Sequence, residues 1–242
     1  MVDGTNLKEI GAQLIQVADD MMNMPSSAKN ALILSGESLN IIYEKKGLLE
    51  LMLNSTDKME VVIGCRVSPK QKGDIVALMR HRHKDKVTLA IGDGANDCSM
   101  ICKAHVGVGI AGREGMQAAK SADFAIGKFK FLHKLLFVHG REDYRRNGEV
   151  VLYMFYKNVL YVMVQFMFGY YSVFSGQTMY EKWIYQIYNG PFTGLHIIIY
   201  GLLDFEFTIP ELLANPLYYS IGMYETVFNM KEFWIWFCYS CA

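Results

Sequence analysis

The sequence has no excess of charge of either sign, because its 24 lysine and arginine residues balance its 24 aspartate and glutamate residues. This balance gives no electrostatic reason to expect a nucleic acid partner. The five cysteines do not form the disulfide pattern of a small secreted domain. The close pair Cys238 and Cys241 lies in an apolar run, and we interpret it as incidental. Met1 is not followed by a basic segment and a short apolar core, so no signal peptide is visible.

The charged residues are unevenly distributed along the chain. Most of them precede Asn147, whereas residues 150–242 are rich in tyrosine, phenylalanine, methionine and isoleucine. The length predicts one or two domains, and this change of composition is the main boundary. We therefore expect a soluble domain at residues 1–148 and a membrane domain at residues 149–242.

The soluble half alternates short apolar strands with helices, which predicts a parallel sheet covered by helices. The predicted strands lie at residues 31–34, 61–63, 87–91, 106–110 and 124–126. The predicted helices lie at residues 5–24, 47–53 and 69–81, from residue 95 onward, and at 114–120.

Residues 87–100, VTLAIGDGANDCSM, combine a strand, a glycine turn and the start of a helix. Asp93 follows the strand, at the edge where parallel sheets usually bind ligands, and Asp97 lies one helical turn further on. Two carboxylates beside a glycine turn suit Mg²⁺. The simpler alternative is an exposed turn whose aspartates start a helix. We favour the magnesium site because Gly-Asp-Gly-x-Asn-Asp at this junction is far more specific than one Asp-Gly pair.

Three more residues would complete a phosphate site beside these aspartates. Arg66 ends a strand, and Lys72 lies in the first turn of the helix that Ser68 and Pro69 open, where the helix dipole also favours an anion. Asn96 would donate to a phosphate or hold the loop. Each of these residues alone is typical of a solvated surface, but together they favour a functional site. We interpret the basic run 81–84 as a solvated loop.

Residues 150–171 carry a single charged residue, Lys157, and a helix of that length would span about 33 Å, close to a hydrocarbon core. Residues 183–203 form a second uncharged run, and the short loop between the two predicts a transmembrane helical hairpin. A third apolar run begins at about residue 233. Basic residues before the first span place the soluble half in the cytosol: Lys128, Lys130, Lys134, Arg141, Arg145 and Arg146.

Lys157 is the unusual residue of the first span, because a lysine within a membrane costs free energy. Its amine would either extend to the cytosolic interface or, with the neighbouring Asn158, face a polar pathway inside the bundle. Pro191 would break the second helix and free backbone carbonyls, as in helices of transporters.

The motifs together resemble a known family. GDGAND at residues 92–97, with Lys72 in SPKQK before it, resembles the last two motifs of haloacid-dehalogenase-like phosphotransferases, and the following hairpin narrows this resemblance to P-type ATPases. Longer strings resemble the type IV branch, the phospholipid flippases: CRVSPKQK, HVGVGIAGREGMQA, SADFAIGKFKFL, FYKN, FSGQTMY and FNMKEFWIW.

The resemblance implies a fold, an activity and a role for each site residue. The fold would be part of an α/β haloacid-dehalogenase-like, Rossmann-type phosphorylation domain followed by a transmembrane hairpin. The family uses ATP to move phospholipid from the outer to the cytosolic leaflet through an aspartyl-phosphate, in some cases with an accessory subunit. Asp93 and Asp97 would hold Mg²⁺, with Lys72 and Asp93 catalytic. Nucleotide or aspartyl-phosphate would contact Arg66, Lys72, Asn96 and Asp97, and lipid head groups would pass Lys157 and Asn158.

The chain also departs from that family. It contains no Asp-Lys-Thr-Gly-Thr string, Ser35-Gly36 replaces the usual Asp-Gly, and Pro191 and His196 differ from the usual second span. We therefore expect a fragment that does not hydrolyse ATP alone. The alternatives are a soluble phosphatase, a P-type ATPase with a cation as cargo, and a non-catalytic membrane subunit. The two spans argue against the phosphatase, and the lack of carboxylates within them argues against a cation.

Overall fold

The structure is a computed structural model that describes residues 1–4, 6–23, 29–112 and 116–241. The chain divides into two compact units, Met1–Phe129 and Lys130–Ala242.

The first unit contains two small parallel sheets with helices around them. Its strands are β1 (Ala31–Ser35), β2 (Val61–Cys65), β3 (Leu89–Gly92), β4 (Val106–Ile110) and β5 (Phe124–Ile126). Its helices are α1 (Leu7–Asn23), α2 (Gly36–Glu44), α3 (Lys46–Thr56), α4 (Pro69–Arg82), α5 (Cys98–Lys103) and α6 (Gln117–Ser121). Strands β1 and β2 pair from Ala31 opposite Val61 onward, and β3, β4 and β5 form the second sheet in that order.

The core of the first unit lies between α1, α2, α3 and β1. Its fully buried side chains follow the apolar spacing of a helix in α1 and the alternation of a strand in β1: Ile10, Leu14, Leu32, Leu39 and Ile42. The core therefore fixes β1, and through it β2.

The predicted elements of this unit are present, with shifted ends. The third strand begins at Leu89 rather than residue 87, and the helix after Gly94 begins as a 3₁₀ turn, Ala95–Asp97. Helix α2 was not predicted; Ser35 caps it by accepting a hydrogen bond from the Ser38 backbone N–H at 3.3 Å. Predicted helix residues 5, 24, 114 and 115 lie outside the described residues.

The second unit is helical in the residues that the structure describes. A continuous stretch runs through α7 (Phe131–Lys134), a π-helical segment (Leu135–Gly140) and α8 (Arg141–Tyr171). The later elements are α9 (Lys182–Ile187), a π-helical turn (Tyr188–Phe192), α10 (Gly194–Leu203), α11 (Ile209–Ala214), a 3₁₀ turn (Pro216–Tyr219), α12 (Ser220–Met223) and α13 (Met230–Cys241). Helix α13 packs along α8, with Phe233 against Phe155 and Trp236 against Tyr156.

Within the described residues, one helix is long and apolar enough to cross a membrane, and it covers Phe131–Tyr171. The predicted second span, residues 183–203, is not one continuous α-helix. It is interrupted at Tyr188–Phe192, where Pro191 cannot donate a helical hydrogen bond.

Candidate functional site

The carboxyl end of β3 carries the residues of the predicted magnesium site. Asp93 and Gly94 form a bend directly after the strand, and the 3₁₀ turn then leads into α5. Asp93 and Asn96 are exposed, whereas the Asp97 side chain is only 14% exposed. The tight turn depends on Gly92, because a Cβ atom there would lie 2.3 Å from the Asp97 Cβ. Asp97 is therefore packed directly against the strand backbone.

Lys72 reaches this turn from the first turn of α4. The helix begins with a capping box, in which the Ser68 hydroxyl accepts from the Gln71 N–H and the Gln71 side chain accepts from the Ser68 N–H. The Lys72 Nζ donates to the Asp97 Oδ1 at 2.8 Å. The fold thus brings together two predicted site residues that are 25 positions apart in sequence.

Arg66 lies at the carboxyl end of the other sheet. It follows β2 with a φ of 54°, a left-handed conformation, and its side chain is exposed. A Cβ atom added at Gly36 would lie 2.3 Å from the Arg66 carbonyl oxygen, so only glycine fits there. The Gln71 Nε2 donates to the Gly36 carbonyl at 2.7 Å. These contacts hold the ends of β1 and β2 beside the start of α4.

The carboxylates at this edge fit an open Mg²⁺ site that water and phosphate complete better than a metal site closed by protein ligands alone. The described residues contain no group of three or more histidine, cysteine, aspartate or glutamate side chains placed to hold a metal. A closed, all-protein site is therefore not present in that part of the chain. Mg²⁺ commonly uses one or two carboxylates and completes its shell with water and phosphate oxygens. Asp93 and Asp97 fit Mg²⁺ that binds together with a phosphate.

Lys157 is buried inside the second unit, with 6% of the residue exposed. Its Nζ donates to the Asn189 Oδ1 at 3.1 Å and to the Thr193 Oγ1 at 2.9 Å. The Thr193 hydroxyl in turn donates to the Tyr188 carbonyl at 3.0 Å. These partners come from the interruption of the predicted second span, so the break at Pro191 creates the oxygen site for the lysine. The amine is held within the unit and does not extend along the helix to an interface.

Asn158 does not join Lys157 in this cluster. It is exposed, and the described residues give its side chain no hydrogen-bond partner. Adjacent residues on a helix point in different directions, so the two polar side chains of FYKN diverge. The structure therefore groups Lys157 with Asn189 and Thr193 instead.

A buried ionic cluster at the start of α8 was not predicted from the sequence. Arg141 pairs with Glu142 and with Glu206, the latter at 2.6 Å, and Arg145 pairs with Glu142 at 3.0 Å and with Asp204 at 2.7 Å. The side chains of Arg141, Glu142 and Arg145 are at most 9% exposed. The arginines were interpreted only as the basic flank that orients the first span. Their pairing with Asp204 and Glu206, the acids that follow the second apolar run, was not predicted.

Comparison with known proteins assigns the chain to a family. Residues 119–242 match the family model described as the C-terminal part of phospholipid-translocating P-type ATPases. The chain is 45% identical to phospholipid-transporting ATPase DRS2 of Saccharomyces cerevisiae over an alignment of 207 residues. The alignment covers 85% of this chain and 15% of that protein. It is 42% identical to phospholipid-transporting ATPase ID of Homo sapiens over an alignment of 205 residues. That alignment covers 85% of this chain and 17% of that protein.

The chain therefore spans about one sixth of the length of these relatives. The family model alone covers about half of the chain, and the longer alignments extend the similarity into the first unit. This chain belongs to the phospholipid-translocating P-type ATPases, the type IV branch of the P-type family, and matches their C-terminal part.

Proposed function

We propose that the chain is part of an ATP-driven phospholipid flippase. Residues 1–148 would be the distal part of a cytosolic, haloacid-dehalogenase-like phosphorylation domain. Residues 149–242 would be membrane-embedded, with spans at about 150–171 and 183–203 and a third beginning at about 233. The complete protein would move phospholipid from the outer to the cytosolic leaflet through an aspartyl-phosphate. The names of the similar proteins, phospholipid-transporting ATPases, support this function.

The open edges of the two sheets support the proposed phosphorylation domain. Among the described residues, β2 pairs only with β1, and β3 pairs only with β4. The β2 side chains Val61, Val62 and Ile63 are 44–49% exposed, which is unusual for an apolar strand of a parallel sheet. One further parallel strand between β2 and β3 would join the two sheets. Its carboxyl end would then lie between Arg66 and Asp93, where the phosphorylated aspartate is needed.

The residues at this edge suit phosphoryl transfer, which depends on positioning and charge neutralisation. The Lys72 amine and the N-terminus of α4 would attract phosphoryl oxygens, and Arg66 and Asn96 would contact nucleotide phosphates. Asp93 and Asp97 would hold Mg²⁺, which when bound neutralises charge on the phosphoryl group. The 242 residues contain no Asp-Lys-Thr-Gly-Thr string, so the chain alone would not hydrolyse ATP.

Lys157 is the observation that favours phospholipid over a metal cation as cargo. Its amine is buried, and its hydrogen-bond partners are the neutral oxygens of Asn189 and Thr193. A buried cation without a carboxylate beside it repels other cations and attracts an anion such as a lipid phosphate. Asn158 would serve the same pathway from the exposed side of α8.

A chimaera with a related protein tests this function. The matched segment of yeast DRS2 is replaced by this chain, and ATP-dependent movement of fluorescent phospholipid is measured in reconstituted vesicles. We expect transport by the chimaera, and we expect Lys157→Met to lower the transport rate at least about tenfold, the effect of one lost charge-assisted interaction. The exposed Lys231→Met is the matched control and should leave the rate unchanged.

A chimaera that hydrolyses ATP and moves no phospholipid would favour another cargo. A chimaera that folds but does not hydrolyse ATP would favour the function of a non-catalytic membrane subunit.

A further inference from the structure

A polar cavity of the first unit lies at the amino edge of the β3–β4–β5 sheet. It has a volume of about 500 Å³ and is lined by Ala77, Arg80, His81, Lys84, Cys102, Lys103 and His105. These residues come from the last turns of α4 and α5 and from the loops that precede β3 and β4. Asp93 follows the opposite, carboxyl end of β3, so this cavity is not the site described above.

The ionisable side chains around the cavity offer hydrogen-bond donors and no carboxylate. Arg80, Lys84 and Lys103 are cationic. His105 accepts a hydrogen bond from the Thr88 backbone N–H at its Nδ1, at 3.1 Å. Its Nε2 therefore carries the proton and is a donor. A cavity lined by three cations and no carboxylate suits an anion with several acceptor oxygens.

Internal pairing accounts for only part of this positive charge. One Arg80 guanidinium nitrogen donates to the Lys103 carbonyl at 2.9 Å, and the Lys103 amine pairs with Asp74 at 2.7 Å. Arg80 also compensates the carboxyl end of α5, where unpaired carbonyls favour a cation. Neither role applies to Lys84, which lies beyond α4 and has no side-chain partner among the described residues. Three cations against one carboxylate leave an excess of positive charge.

We propose that this cavity binds a multiply charged phosphate anion, either as a free phosphate compound or as the phosphomonoester head group of a lipid. The cavity is separate from the phosphate site at Lys72. Lys72 and Arg80 are eight residues apart on α4, which corresponds to about 12 Å along the helix axis. The proposal does not depend on the flippase function.

The test uses the complete chain in phosphatidylcholine nanodiscs, with Lys72→Met as background to remove the other phosphate site. Pyrophosphate binding is measured by calorimetry. We expect Lys84→Gln to weaken binding about tenfold, because it removes a cation, and Lys84→Gln with His81→Leu to weaken it further, because leucine also removes the imidazole donor. Both side chains are exposed, so folding should be unaffected. The matched control Lys86→Gln removes an exposed charge two positions away that does not line the cavity.

A second arm distinguishes the two sources of phosphate. When phosphatidate is added to the nanodiscs, a lipid head group in the cavity would compete and lower the apparent affinity for pyrophosphate. An unchanged affinity would identify the free anion as the ligand, and either result supports the cavity as a phosphate site. The proposal is overturned if the Lys72→Met chain binds no pyrophosphate in either nanodisc, or if Lys84→Gln and Lys86→Gln bind it equally well.

Discussion

Lys72 in the first unit and Lys157 in the second have the same side chain in opposite environments. Lys72 is 37% exposed and pairs with a carboxylate, whereas Lys157 is buried and is bonded to neutral oxygens. The exposed lysine is easily approached by a ligand and adds little to stability. The buried lysine has lost most of its hydration, which costs free energy. Buried lysines of this kind usually mark a functional site.

The ion pairs of the two units differ in the same way. In the first unit, Arg82 pairs with Asp57, and their side chains are 29% and 26% exposed, with His83 as a second exposed partner of Asp57. Arg141, Glu142 and Arg145 in the second unit are almost fully buried and share their partners. Removing one member of a buried cluster leaves the others unpaired, which costs more than the loss of an exposed pair. The exposed pair therefore adds little to the stability of the first unit, whereas the buried cluster at Arg141 is a large part of the packing of the second.

Replacing Lys72 gives the largest expected effect, and that effect should be on activity. In the DRS2 chimaera, Lys72→Ala should lower the rate of ATP hydrolysis about 100- to 1,000-fold, the usual effect of removing one charge-stabilising donor. The free energy of unfolding should change by less than about 1 kcal/mol, because the pair with Asp97 is partly exposed. Lys70→Ala, in the same turn of α4, is the control for lost charge. Equal hydrolysis by the two variants would show that Lys72 has no role in phosphoryl transfer.

Replacing Glu142 should give the largest change in stability. Glu142→Gln leaves Arg141 and Arg145 with one fewer buried partner and should lower the free energy of unfolding by about 3 kcal/mol. The measurement is denaturant unfolding of the chain in detergent. Glu149→Gln is the matched control, because Glu149 is more exposed and lies 3.6 Å from Arg145. If both variants lose the same stability, the contrast between buried and exposed charge is wrong.

Much of the first unit could be predicted from the sequence because short-range patterns determine it. The glycine turn after β3 and the Ser68–Pro69 start of α4 are local signals, and they correctly placed Asp97 and Lys72 near the ends of their elements. The sequence could not predict that the Lys72 amine contacts Asp97, since that contact depends on how α4 packs. Helix α2, which begins at Gly36 directly after β1, was not predicted.

The second unit was harder to predict because its polar contacts join distant segments. Hydropathy identified the span around Lys157. The lysine was grouped with Asn158 because the two residues are neighbours in the sequence. The actual partners, Asn189 and Thr193, lie beyond a loop, and they become available only because the later helix is interrupted at Pro191. Composition also suggested a basic flank at Arg141, where the folded chain forms a neutralised cluster.

Gly92 tests whether the exposed site of the first unit nevertheless needs a tightly packed backbone. Gly92→Ala places a Cβ 2.3 Å from the Asp97 Cβ and should lower the free energy of unfolding by about 1–3 kcal/mol. The measurement is denaturant unfolding followed by circular dichroism. Gly47→Ala is the control, because Gly47 lies in α3 with no atom within 4 Å of the added Cβ, and alanine is the better helix former. A Gly92→Ala chain as stable as the Gly47→Ala chain would show that the turn adjusts freely.

The smallest expected effect belongs to Asp57, whose exposed pair should stabilise the fold slightly at neutral pH and lose this effect in acid. The hydrogen bond from Arg82, with help from His83, lowers the pKa of Asp57 below its ordinary value of 3.8. A lowered pKa in the folded state means that the pair stabilises the fold above about pH 3.8 and loses this effect as the pH falls through the folded pKa. Asp57→Asn should therefore lower the thermal midpoint slightly at pH 7 and make the difference from the unmodified chain shrink as the pH approaches 2. A difference that grows in acid would contradict this assignment, because it would mean that the protonated form of Asp57 is the one that the fold stabilises.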